Sequence, residues 1–183
     1  MYSLIEWDES LDLTEFYETA KIKGFENNSS QKALVDCFKS ERDFKVWILY
    51  YQNKAAGSVA CHSLDVLPNA YRICARTCVF TDLLPYKQLR SLGYTIKRHQ
   101  NITAQFYIPK CIEYAGKDKN LYITSHPSDV GTQRAVHNVY CPALVETGAL
   151  TKECELFYRG SVQTFWKLNT ETFLEQLSRE VRW

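Results

Sequence analysis

Apolar residues recur every three or four positions in five segments of the chain, which is the spacing of one helical face. The members of these stripes are Leu13, Phe16, Tyr17 and Ala20; Leu34, Cys37 and Phe38; Ile102, Phe106, Pro109, Ile112 and Ala115; Val136, Val139, Tyr140, Ala143 and Leu144; and Phe173, Leu174 and Leu177. Residues suited to an N-cap precede four of the stripes, namely Asp12, Ser29 or Ser30, Thr132, and Asn169 or Thr170. The pattern predicts five helices.

Glycine and proline set the expected bounds of these helices. Gly24, Gly116 and Gly148 follow three of the stripes and predict helix ends. Pro109 lies inside the third stripe, where it should kink or restart the helix, and Pro142 interrupts the fourth.

Runs rich in β-branched and aromatic residues predict two hairpins. Phe44–Tyr51 and Ala55–Leu64 flank a short polar turn and should pair antiparallel. Leu156–Tyr158 and Ser161–Leu168 flank the turn at Arg159 and Gly160.

Two further strands, Tyr71–Phe80 and Leu121–Thr124, are separated by a loop and a helix. Because a crossover of this kind joins parallel strands, we expect these two to be parallel and the connection right-handed. The element order is then an optional strand, two helices, three strands, a loop, a helix, a strand, a helix, a hairpin and a last helix. We predict one α/β domain spanning residues 1–183, with a mixed, mostly antiparallel sheet flanked by helices.

Composition narrows the class of protein. A chain of 183 residues with 45% hydrophobic and 14% aromatic residues is long and apolar enough to fold around a core. The formal net charge of +1 offers no basic footprint for nucleic acid and no polybasic membrane anchor, and no apolar run approaches the roughly 20 residues that cross a bilayer. An acidic start without a signal peptide, and an odd set of seven scattered cysteines, predict free thiols and a cytoplasmic protein.

The segment after the Tyr71–Phe80 strand contains a candidate phosphate site. Arg90 and Gly93 lie in a loop that leads into a helix, where unpaired backbone N–H groups and the positive end of the helix dipole attract anions. The alternative is an ordinary strand–loop–helix crossover.

In its element order, from about residue 12 to residue 177, the chain resembles the GNAT superfamily of N-acetyltransferases. Its local sequence is similar to that of divergent members from large tailed phages and marine sequences. The similar segments are Ile123-Thr124-Ser125, the proline-interrupted helix Thr132–Gly148 and Trp166-Lys167-Leu168-Asn169. The superfamily's pyrophosphate loop has the form Gln/Arg-x-x-Gly-x-Gly/Ala, and this chain has Arg90-x-x-Gly93-x-Thr95, with Thr in the third position.

The resemblance implies acetyl-CoA as cosubstrate and an amine as acceptor. Main-chain atoms of Cys78, Val79 and Phe80 would hold the pantetheine arm and polarise the thioester, and Arg90, Gly93 and Thr95 would contact the diphosphate.

The resemblance also implies the groups that move protons. Relatives often have a tyrosine, which protonates the thiolate, four residues before the glycine that ends the fourth helix. Counting back from Gly148, that position is Leu144 in this chain, and Tyr140 lies one helical turn earlier. Protonation by solvent is the alternative. His126 and Asp82 would lie near the cleft between the parallel strands as candidate bases, with His62 a further candidate.

Two other interpretations remain open. A GNAT-shaped protein without catalysis would serve as a binding or assembly module, and an unrelated α/β fold would lack the parallel pairing of strands 71–80 and 121–124. We predict no metal site, because Cys74 and Cys78 are too far apart on one strand to share an ion. Neither the acceptor nor the oligomeric state is predicted, and a dimer is one option.

Overall fold

The computed structural model describes residues 2–22, 30–36, 41–51, 53–76, 102–125 and 142–179. The strands in these ranges are β1 (Tyr2–Glu6), β2 (Phe44–Tyr51), β3 (Lys54–Leu64), β4 (Ala70–Arg76), β5 (Asn120–Ser125), β6 (Leu150–Tyr158) and β7 (Ser161–Leu168). The helices are α1 (Thr14–Ile22), α2 (Gln31–Asp36), α3 (Ile108–Ala115, preceded by a π-helical turn at Thr103–Tyr107), α4 (Pro142–Glu146) and α5 (Thr170–Ser178).

The strands form one mixed sheet in the order β1-β2-β3-β4-β5-β7-β6. The pairs β1–β2, β2–β3, β5–β7 and β6–β7 are antiparallel, and β4 pairs with β5 in parallel. Both predicted hairpins and the parallel crossover are confirmed, as is the mixed, mostly antiparallel α/β class. The right-handed sense of the crossover stays a prediction.

The described residues fall into two compact units, one containing 2–62 with 74–76 and the other 63–73 with 102–179. The core of the first unit joins α1 and α2 to one face of β2 and β3; its buried members are Leu13, Phe16, Ala20, Leu34, Val46, Ile48, Ala60 and Cys74. A cluster in the second unit consists of Leu64, Ala70, Tyr122, Tyr158 and Phe165. The prediction of a single domain over residues 1–183 stays a prediction.

Three predicted caps are present in the structure. The Asp12 carboxylate accepts from the Thr14 backbone N–H at 3.1 Å, and the Ser30 hydroxyl accepts from that of Ala33 at 3.0 Å. The Asn169 side chain accepts from the Thr172 N–H at 3.1 Å at the start of α5. Each cap satisfies a backbone donor that the first turn of a helix leaves without a partner.

Pro109 restarts the third helix, as predicted, since it occupies the first turn of α3 directly after the π-helical turn. The predicted buried face is wrong in part, because Phe106 and Pro109 are only partly buried whereas Tyr107, Ile108 and Cys111 are fully buried. A π-helical turn holds more residues than an α-helical one, so the face that points inward moves by one position.

The first strand of the second hairpin is longer than predicted, since β6 begins at Leu150 and not at Leu156. Thr151 to Glu155 are mostly exposed and polar, and the register shifts between Lys152 and Cys154. β6 is the last strand of the sheet, where charged side chains and a bulge are common, so the apolar alternation that reveals a strand is missing. Within the described ranges, no helix is both long and apolar enough to span a membrane.

Candidate functional site

The amino ends of β4 and β5 are joined by Asn69. Its backbone carbonyl accepts from the Asn120 N–H at 2.9 Å, and its side-chain amide donates to the Asp118 carbonyl at 2.9 Å. The Lys119 ammonium donates to the Asn69 side-chain oxygen at 2.7 Å. Asn69 has φ of +52°, a left-handed conformation that asparagine tolerates better than most residues. These bonds start the two strands side by side, so their carboxyl ends lie in the same direction.

Between the described parts of β4 and β5, the parallel register consists of three pairs, Ala70 with Asn120, Tyr71 with Leu121 and Arg72 with Tyr122. On its other edge, β5 pairs with β7 from Tyr122 to Ser125. In open α/β sheets, ligands bind beyond the carboxyl ends of parallel strands. The carboxyl end of β5 is therefore where a ligand site is expected in the second unit.

One sheet face near this end is aromatic. The ring of Phe165 lies edge-on to Tyr122 and to Tyr158, with centroid separations of 6.0 and 5.8 Å. Phe165 is fully buried and Tyr122 is 2% exposed. These rings form a rigid, apolar floor beside β4 and β5.

Arg72 crosses this floor toward the carboxyl end of β5. Its Nε donates to the Thr124 hydroxyl at 2.8 Å, two positions beyond its register partner Tyr122. Its guanidinium carbon lies 5.6 Å from the centroid of the Tyr158 ring, and that of Arg159 lies at the same distance from the same ring. The Nη1 atom of Arg72 is buried and has no hydrogen-bond partner among the described residues.

The opposite face carries a small buried polar group. Ser125 and Thr164 are cross-strand partners, each 1% exposed, and the Trp166 Nε1–H donates to the Ser125 hydroxyl at 3.0 Å. The Thr164 hydroxyl is also buried, and no group in the described part of the chain forms a hydrogen bond with it. Polar groups at the last described position of β5 are thus held in place by β7.

The residues predicted to bind the coenzyme and to move protons lie outside the described ranges. They are Cys78, Val79, Phe80, Arg90, Gly93 and Thr95 for the coenzyme, and Asp82, His126 and Tyr140 for proton transfer. By sequence, His126 directly follows Ser125 at the end of β5, and Cys78 follows β4 by two positions. The glycine loop stays a prediction.

Two residues weighed in the proton-transfer argument are described. His62 on β3 is fully buried, with Nδ1 3.4 Å from a carboxylate oxygen of Glu41. A fully buried imidazole does not touch an amine that arrives from solvent, which argues against His62 as the base. Leu144, at the position where relatives often carry tyrosine, is also fully buried.

Our sequence interpretation did not assign Arg72, Thr124 or Tyr158 to a site. The one available signal was a pair of arginines, Arg72 and Arg76, inside a run otherwise suited to a buried strand, because charged residues are rarely buried without a partner. Its contacts come from Thr124, 52 positions away along the chain, and from Tyr158 in the second hairpin. Local patterns do not contain such contacts.

Comparison with solved structures identifies the fold. The aminoglycoside acetyltransferase AAC(6')-Ib in complex with coenzyme A matches with a TM-score of 0.58 and 11% identity, over 97% of this chain and 99% of that chain. A chimera of the spermidine N-acetyltransferase SpeG from Vibrio cholerae and hSSAT matches with a TM-score of 0.54 and 10% identity, over 95% and 98%. A protein assigned to the GNAT family of acetyltransferases, from Desulfovibrio desulfuricans, matches with a TM-score of 0.52 and 13% identity, over 91% and 97%.

No family model and no curated protein matches this sequence. The likeness therefore rests on structure, and it extends over nearly the whole of each chain compared. The parallel β4–β5 pair also excludes the alternative of an α/β fold that lacks it. The chain has the fold of the GNAT acetyltransferases.

Proposed function

We propose that this protein is an acetyl-CoA-dependent N-acyltransferase that moves an acetyl group to an amine by direct attack. The observation that carries the proposal is the GNAT fold over nearly the whole chain, with its parallel pair between β4 and β5. Among proteins that share this fold, AAC(6')-Ib has been crystallised with coenzyme A and kanamycin, and with acetyl-CoA.

The coenzyme would lie along the continuation of β4 and the loop that follows it. Main-chain groups of Cys78, Val79 and Phe80 would pair with the pantetheine arm. Arg90 and the backbone of Gly93 and Thr95 would contact the diphosphate, because a charged fork and bare N–H groups both suit phosphate oxygens.

The reaction needs one bond formed and one broken. A neutral amine attacks the thioester carbon, a C–N bond forms, the C–S bond breaks, and the amine proton leaves while the thiolate accepts one. His126 or Asp82 would take the amine proton, and Tyr140 or solvent would protonate the thiolate. Holding the two reactants in line supplies much of the rate, so the side chains have little covalent work.

Leu144 favours the rival function, a GNAT-shaped protein that binds a ligand or partner without turnover. An aliphatic, fully buried side chain at this position has no proton to give. Thr95 stands at the third position of the loop, where the superfamily has Gly or Ala, and this difference also favours the rival function.

A thermal shift titration with acetyl-CoA tests whether the coenzyme binds. Ligand at 100 times its Kd stabilises a protein by about 2.7 kcal/mol, which corresponds to a rise of roughly 5 to 10 °C in Tm for a chain of this size. Arg90→Ala should reduce the shift, whereas Lys32→Ala, an exposed lysine of α2, should leave it unchanged. No shift at millimolar acetyl-CoA would contradict the proposal.

Turnover separates the two functions. The protein is incubated with acetyl-CoA and a panel of amines, and acetylated product and free coenzyme A are measured by mass spectrometry. Product formed in equal amount to coenzyme A indicates the transferase. A clear thermal shift without product from any amine indicates the binding module.

A further inference from the structure

We propose that Arg72 forms an anion subsite on the sheet face, which accepts a carboxylate carried by the acceptor amine. The inference rests on the proposed acyltransferase function and names the class of its acceptor. The residues that carry it, Arg72, Thr124, Tyr158 and Arg159, all belong to the second compact unit.

The first step is the charge of Arg72. Arginine is always protonated in proteins, and burying its charge is costly unless an anion or several acceptors compensate it. Within the described part of the chain, no carboxylate lies at ion-pair distance from Arg72. The π face of Tyr158 and the Thr124 hydroxyl are neutral groups and compensate only part of that cost.

The second step is the geometry of the fork. Because Nε is bonded to Thr124, the edge of the guanidinium formed by Nη1 and Nη2 is left for another acceptor. Among the described residues Nη1 is buried and has no hydrogen-bond partner, while Arg72 as a whole is only partly buried, so a carboxylate at this edge would meet a donor that no other described group uses. Two parallel N–H donors match the two oxygens of a carboxylate.

The third step is the surrounding field. Arg159, which is exposed, places a second guanidinium over the same Tyr158 ring. Two cations beside an apolar floor raise the local concentration of anions. Together with the position of Thr124 near the carboxyl end of β5, this favours a small anionic ligand there.

The experiment uses matched acceptors that differ in one charge. Oligoglycines of one to four residues, each as free acid and as C-terminal amide, span amine–carboxyl separations of roughly 3 to 14 Å. For at least one length, kcat/KM should favour the acid over the amide by about 10- to 100-fold, the effect of a charge-assisted bidentate bond. The acid should also raise Tm in the absence of acetyl-CoA, and its amide should not.

Variants assign the preference to Arg72. Arg72→Gln should bring the acid-to-amide ratio close to one, and Arg72→Lys, which keeps the charge but loses the fork, should leave an intermediate ratio. Arg179→Gln, which neutralises an exposed arginine at the end of α5, should leave the ratio unchanged. Should Arg72→Gln fail to fold, Thr124→Val keeps the charge, frees Nε and should lower the ratio several-fold.

The outcomes distinguish failure of this subsite from failure of the proposed function. Equal rates and equal Tm shifts for acid and amide at every length overturn the subsite, even if acetyl-CoA binds normally. A loss of acetyl-CoA binding in Arg72→Gln, with no change in the acid-to-amide ratio, also overturns it and assigns Arg72 to a coenzyme phosphate. A Tm shift by acid alone in a protein that ignores acetyl-CoA supports the subsite and rejects the transferase.

Discussion

At the scale of single residues, Tyr122 shows how this sheet face is fixed. Its ring is 2% exposed, and its hydroxyl donates to a carboxylate oxygen of Glu153 at 3.1 Å. Burial, and then the hydrogen bond and charge of Glu153, raise the pKa of Tyr122 to about 12. The neutral phenol is therefore favoured far more strongly in the folded protein than in the unfolded chain.

The pKa of Tyr122 predicts a loss of stability at high pH. The unfolded tyrosine ionises near pH 10, while the folded one keeps its proton until about pH 12. Between these pH values the unfolded state binds fewer protons than the folded state. The stabilisation of the folded state by the Tyr122 phenol is therefore complete below pH 10 and is lost as pH rises to 12. Tyr122→Phe should be about 1 kcal/mol less stable than the wild type at pH 7, and its stability has no pH-dependent contribution from position 122.

Urea unfolding of both proteins from pH 7 to pH 12 checks this prediction. The difference in their free energies of unfolding should stay constant to about pH 10, then shrink and change sign before pH 12, because the rise in pKa from 10.0 to about 12 outweighs the advantage of about 1 kcal/mol at pH 7. The comparison with Tyr122→Phe cancels the other tyrosines, of which Tyr17 and Tyr50 also have raised pKa values through burial. Parallel stability curves over the whole range would contradict the prediction.

Residue patterns in the sequence revealed backbone features better than side-chain contacts. The caps at Asp12, Ser30 and Asn169 follow from a polar residue beside an apolar stripe, so both halves of the signal are local. The contact between Arg72 and Thr124 joins positions 52 residues apart, and the local sequence around either residue does not predict the other as its partner. A candidate site built from such contacts requires the fold first.

At the scale of elements, two helices end in glycines with different surroundings. Gly116 follows α3 with φ of +92° and ψ of 149°, a region that is nearly restricted to glycine. A Cβ at this position would lie 2.8 Å from the Asp118 Oδ1. Gly148 follows α4 with φ of +75°, and a Cβ there would meet no atom of the described residues within 4 Å.

This contrast predicts unequal costs for the same substitution. Gly116→Ala should lower the free energy of unfolding by about 2 to 3 kcal/mol, because the backbone conformation is strained and the Asp118 side chain must move. Gly148→Ala should cost about 1 kcal/mol, since only the left-handed φ is unfavourable. Chemical unfolding of both variants measures the difference, and Gly116→Ala,Asp118→Ala should recover the part due to the contact. Equal costs for the two single variants would show that the Asp118 contact and the unusual ψ do not matter.

The elements themselves were largely predictable because their signals are periodic. β2 and β7 were predicted to the residue, and β3 to within one residue of its bounds. The failures have specific causes, since the π-helical turn before α3 breaks the helical period and the exposed edge strand β6 lacks alternation. The coenzyme loop around Gly93 lies outside the described residues, so that part of the site stays a prediction.

At the scale of the whole molecule, the order of elements carried more information than any motif. A strand, a crossover with a helix and a second strand dictated the parallel pairing, and the hairpins dictated the antiparallel remainder. The chain is only 10 to 13% identical to the structures compared, so it shares their fold but little of their amino-acid sequence. The backbone pairing thus persists under almost complete change of side chains.

The parallel pair depends on a junction between distant parts of the chain, and the last prediction concerns that junction. Asn69 bonds through its side chain to Asp118 and Lys119, which lie 49 and 50 positions away, and its carbonyl accepts from Asn120. Asn69→Gly removes the exposed side-chain bonds but suits the φ of +52°, so it should cost about 1 kcal/mol. Asn69→Ala loses the same bonds and adds the left-handed strain, so it should cost about 2 kcal/mol or more.

Hydrogen exchange locates this effect in the sheet. The backbone amide of Asn120 should exchange faster in both variants than in the wild type, and faster in Asn69→Ala than in Asn69→Gly, because local opening of the junction exposes this amide. The antiparallel β6–β7 hairpin provides the internal reference, and its amides should change only as far as global stability does. If Gly and Ala at position 69 behave alike, the backbone conformation contributes nothing, and the loss of the side-chain bonds accounts for the whole effect.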